Sequence, residues 1–87
     1  MRYGVAIRDR NGMPLGTCVY ELEHRVPEGG CQLQWSIRVV EVDGFPLPPE
    51  TWCSFPGSAS DALTAFHEQL LSRYRPGSTL VPTVASE

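Results

Sequence analysis

The chain has 87 residues, a net charge of −3 and 41% hydrophobic residues, the size of one domain with a small core. No run approaches the roughly 18–20 apolar residues that cross a bilayer, and the N-terminus lacks the apolar stretch of a signal peptide. A cytoplasmic protein with no membrane partner is therefore expected, and the weak acidic balance disfavours generic nucleic-acid binding, which needs clustered cations.

Tyr3 to Arg8 reads as a first strand, with Tyr3, Val5 and Ile7 on one face and Gly4, Ala6 and Arg8 on the other. Asp9-Arg10-Asn11-Gly12 is a hairpin signal, because Asn-Gly takes positive φ readily. A second strand follows over Thr17 to Glu23. Cys18, Tyr20 and Leu22 point inward, and Thr17, Val19, Glu21 and Glu23 point outward. Pro27-Glu28-Gly29-Gly30 is the next turn.

Cys31 to Val39 alternates apolar and polar without a break. Cys31, Leu33, Trp35, Ile37 and Val39 share one face of a third strand; Gln32, Gln34, Ser36 and Arg38 share the other. The phase changes at Val39-Val40, which implies a β-bulge or an end covered on both faces. Asp43-Gly44 is a turn. Phe45-Pro46-Leu47-Pro48-Pro49 reads as an extended loop or a guarded edge, because proline lacks the ladder donor. Thr51 to Phe55 is a short fourth strand.

The period then changes. Ala59, Leu63, Phe66, Leu70 and Tyr74 form one helical stripe. Ser58 with Asp61 makes a capping box, and Pro76-Gly77 stops the helix near Arg75. The spacing predicts a helix over Ala59 to Arg75. The expected fold is α+β: a three- to four-stranded antiparallel meander with one C-terminal helix on one face, in two layers. Residues 1–75 form the domain and residues 76–87 a flexible tail. The inward strand residues should meet Leu63, Phe66 and Leu70.

The chemistry is sparse. Cys18, Cys31 and Cys53 lie far apart in sequence and read as buried thiols, without the close pairs of a structural zinc site. The carboxylates Glu21/Glu23 and Glu41/Asp43 sit in polar sequence, where a solvated edge is the simpler reading than an acid/base dyad. No cofactor, metal or catalytic residue is assigned. The outward sheet face is the stronger candidate site, with Arg8, Glu21, Gln32, Gln34, Ser36 and Arg38. Phe45, Leu47 and Trp52 form a second one, an apolar knob on the proline loop.

Trp52, Gly57, Ala59, Ser60 and Arg75-Pro76 resemble the helix region of MbtH-like proteins, small partners of adenylation enzymes. The Arg-Pro is out of register by one residue and the family's upstream signatures are absent, so no functional residue is carried over. The strands-then-helix order also resembles small antitoxins and phage-borne inhibitors. The expectation is a non-enzymatic protein-binding module (inhibitor, antitoxin-like or accessory factor) acting through the polar sheet face and the Pro/Trp loop. Edge pairing through the first or last strand could add a homodimer. The alternatives are nucleic-acid binding through Arg2, Arg8, Arg10 and Arg38, and a small cysteine-dependent enzyme or metal protein.

Overall fold

Alternating residues along Arg2–Arg8 (β1), Pro14–Arg25 (β2) and Gln34–Val42 (β3) pair into an antiparallel meander in the computed structural model, which describes residues 1–48 and 51–83. Phe45–Pro46 (β4) and Cys53–Phe55 (β5) both pair with β3, and Thr79–Thr83 (β6) pairs with β1. The helix α1 spans Ala59–Leu71. The main path of the six-stranded sheet is β4-β3-β2-β1-β6.

The α+β class and the antiparallel sheet agree with the sequence. The strand count does not: six strands replace the expected three or four. The additions are β4 and β6. β4 is a two-residue pairing closed by Asp43-Gly44, where φ values of 52° and 83° build a turn that suits the strand twist. β6 lies in the segment expected to be a tail. Leu80 pairs opposite Ile7 and Val81 opposite Ala6, so residues 79–83 belong to the domain. The pairing is non-local, and Pro82 interrupts the strand pattern that would have announced it. Residues 84–87 of the expected tail, and Pro49 and Glu50 of the proline loop, lie outside the described residues.

β1 is flanked by β2 and β6, so the first strand offers no free edge for a homodimer. The sheet edges are β6 on one side and β4 with β5 on the other. Pro82 removes a backbone donor from β6, as edge strands often do.

The third strand begins at Gln34, not at Cys31. Cys31 and Gln32 are in a bend, and Leu33 is 58% exposed. The alternation continues through residues 31–33, but the partner strand ends at Arg25, opposite Gln34, and leaves them no ladder. The phase change is a bulge: Tyr20 faces Val39 while Val19 faces Glu41, so Val40 is the extra residue.

The core is Val5, Ile7, Cys18, Tyr20, Leu22, Ile37, Phe55, Ala62 and Phe66. The helix stripe meets the sheet face that the alternation assigned to it, with Tyr3, Trp35, Leu63 and Leu70 packed around the centre. Ser58 accepts from the Asp61 N–H and Asp61 accepts from the Ser58 N–H, closing the capping box. The helix ends at Leu71, earlier than Arg75, and turns carry the chain through Arg73 and Arg75. Of the three cysteines only Cys18 is buried; Cys31 and Cys53 are exposed free thiols. Cys31 falls outside the ladder, and Cys53 lies on the edge strand β5.

Candidate functional site

The helix covers one sheet face. On the other, the register sets out rows of side chains across the strands. One row is Val81, Ala6 and Thr17; the next is Thr83, Gly4, Val19, Glu41 and Pro46. This half is small and largely uncharged. Ala6 and Val19 are half-buried and Val81 is exposed. The following row is Arg2, Glu21 and Arg38, and beyond it lie Glu23 with Ser36 and Arg25 with Gln34.

Glu21 joins its row. Its Oε1 accepts from Arg38 Nε at 3.1 Å and lies 3.0 Å from Arg38 Nη2. Its Oε2 lies 3.6 Å from Arg2 Nη2. All three side chains keep solvent contact, so each pair contributes about 0–1 kcal/mol to stability. The larger effect is order: each partner restricts the other's rotamers before anything binds.

Trp52 extends the array. The Arg38 guanidinium carbon is 4.5 Å from the indole ring centroid and that of Arg25 is 4.7 Å away, both within cation–π range. Arg38 and Arg25 lie on either side of the Ser36–Glu23 pair in register, so the indole spans that pair. Ser36, at 0% exposure, is fully buried. Its hydroxyl is 3.0 Å from that of Ser54, either one donating. The polar stripe of β3 is therefore covered in part by the chain itself, where the alternation alone left it open to solvent.

Glu21, Gln34, Ser36, Arg38 and Trp52 thus meet on one half of this face. Arg8 is at the far end of β1, opposite Pro14. Gln32 lies before the strand. Phe45, 73% exposed, sits on β4 opposite Val42, and the half-buried Leu47 follows it and lines a hollow with Arg2, Glu21 and Arg38. Arg2 and Arg25 complete the array and were missing from the expected site. Their signal was the shared face: Arg25 is an odd position of β2, and Arg2 an even position of β1 opposite Glu21.

Arg2 and Arg8 occupy opposite ends of β1, and Arg10 lies beside Gly77. The four arginines considered for nucleic acid do not form one patch, and Glu21 compensates two of them. Among the described residues, no group of three or more His, Cys, Asp or Glu could hold a metal ion, and no helix is long and apolar enough to cross a membrane.

A concavity of about 260 Å³ opens on the helix side, between α1 and β3. Ile37, Val39, Phe55, Phe66 and Leu70 form apolar walls, and Arg73 is among the polar residues that line it. Cys18 is in the wall; burial pushes its thiol up to about 11, so it is neutral and unreactive.

No family model matches the chain, and comparisons with curated proteins and with solved structures find no significant match.

Proposed function

We propose that the protein is a small non-enzymatic binding module, of the inhibitor, antitoxin-like or accessory kind, that engages a protein partner through its helix-free sheet face. The observation that carries this reading is the arrangement of that face. A flat patch of small, uncharged side chains around Ala6, Val19 and Val81 borders a row of charges already fixed by Glu21 and Trp52. Protein interfaces combine such an apolar centre with a polar rim. Preordered side chains also lower the entropic cost of docking. Glu21 beside Arg2 and Arg38 favours a protein over a nucleic acid, whose phosphates would compete with the carboxylate.

Affinity capture from source-cell lysate, with wild-type, Val19→Glu and His24→Ala proteins as baits, tests it. His24 stacks on Trp35 and lies on the opposite face. The reading expects a partner retained by wild type and His24→Ala and lost by a folded Val19→Glu. Equal capture by all three, or none by any, contradicts it.

A further inference from the structure

The cleft between α1 and β3 lies on the opposite side of the sheet from the face above, and its chemistry is different. Its walls are the apolar side chains Ile37, Val39, Phe55, Phe66 and Leu70. Gln69, Arg73 and Tyr74 line it at the end of the helix, and Thr17, Thr51 and Arg38, whose guanidinium is held by Glu21, line it from the strand side. Among the described residues, Arg73 has no carboxylate partner: both ion pairs of the chain belong to Glu21. A guanidinium beside apolar walls is an anion anchor with five fixed donors.

We propose that this cleft binds a small apolar monocarboxylate, such as a medium-length acyl or aryl acid, with its carboxylate on Arg73 and its tail against Val39, Phe66 and Leu70. The size sets the class. At about 260 Å³ the cleft falls below the roughly 300–1,000 Å³ of sites for drug-sized ligands, which leaves room for a short chain or a small ring system. The charge sets the head group. The groups that face Arg73 do not neutralise it. The Cys18 thiol stays protonated because burial outweighs the pull of Arg73. Asp43, whose charge also reaches Cys18, makes no ion pair with Arg73; its carboxylate accepts instead from the Thr17 N–H at 2.8 Å. A ligand carboxylate supplies the counter-charge that the cleft lacks, in the planar geometry a guanidinium grips best.

Cys53 gives a direct readout. It is an exposed free thiol lining the cleft, whereas Cys31 is an equally free thiol before β3 and outside the cleft lining. The test measures alkylation rates of both thiols in the full chain by mass spectrometry, with octanoate or 1-octanol present. Methyl NMR of Leu70 and Val39 gives the affinities.

Octanoate is expected to slow Cys53 alkylation while Cys31 is unchanged, and to bind more tightly than octanol. Arg73→Gln should weaken octanoate binding by about tenfold to a hundredfold, the worth of a charge-assisted contact, and leave octanol binding unchanged. Arg73→Lys keeps the charge and should fall between the two. If Arg73→Gln does not fold, the octanoate–octanol comparison in the wild-type protein still decides. Equal protection by the two ligands, no protection by octanoate, or wild-type octanoate affinity in folded Arg73→Gln overturns the proposal. None of these results bears on the sheet face, so the two readings fail separately.

Discussion

The Tyr20 hydroxyl lies 2.8 Å from His67 Nε2, a hydrogen bond that ties the centre of the sheet to the middle of the helix. Tyr20 is fully buried, with its ring stacked against Tyr3 and tilted against Phe66. Burial raises the phenol to about 12 and lowers His67 below its ordinary value. At neutral pH the phenol therefore donates and the neutral imidazole accepts.

Stability should fall in mild acid. The unfolded chain's His67 takes up a proton near pH 6.5, and the folded chain resists it until a lower pH. The loss begins as pH drops through about 6.5 and levels off below the folded pKa; above about pH 7.5 this group contributes no slope. Urea unfolding at pH 7.5 and at pH 5.5 measures it. His67→Gln should flatten that interval.

Tyr20→Phe removes the hydroxyl and leaves the imidazole without its partner. The expected cost is about 1–2 kcal/mol, the range for stranding a partly buried polar group. Urea unfolding of this variant at pH 7.5 checks it.

Trp52→Ala should cost about 1–2 kcal/mol. It removes two cation–π contacts, each worth about 0.5–1 kcal/mol at an exposed site, and opens the stripe that holds Ser36. Glu21→Gln should cost under about 1 kcal/mol, as exposed ion pairs do. Thermal unfolding of both variants ranks them.

Ending the chain at Ser78 should destabilise it by about 2 kcal/mol or more, because Ile7 and Val5 lose the cover of Leu80 and β1 becomes an open edge. For a domain of this size that is a Tm drop of roughly 10 °C. An unchanged melting curve would show that β6 contributes nothing to the fold.

Gly57→Ala should be more costly than Gly12→Ala. Both glycines have positive φ, at 90° and 82°, but a methyl group on Gly57 meets the Asp61 carboxylate that caps α1, whereas Gly12 faces open space. About 1–3 kcal/mol is expected at Gly57, read by urea denaturation.

The parts of the fold legible in the sequence were those set by local periodicity. The alternation of β1 and β2, the bulge at Val40, the Asp43-Gly44 turn and the Ser58–Asp61 box each depend on residues close together in the chain. The parts that escaped depend on distant pairings. β6 is defined by Ile7, more than seventy positions from Leu80. The covering of Ser36 requires β5 to lie along β3 and bring Trp52 between Arg25 and Arg38. Leu33 erred in the opposite direction: the alternation placed it inward, but no strand pairs there and it is 58% exposed. The sheet face that the helix leaves uncovered is the one the alternation left uncovered, while its internal contacts depend on where β5 docks.

The most direct test of the sheet-face account is methyl NMR of Val19 and Val81 with a soluble paramagnetic probe, before and after the captured partner is added. The account predicts that both methyls lose their exposure to the probe in the complex while Leu70, on the helix side, keeps its own. Protection of Leu70 with Val19 and Val81 unchanged would place the partner on the helix side and contradict it.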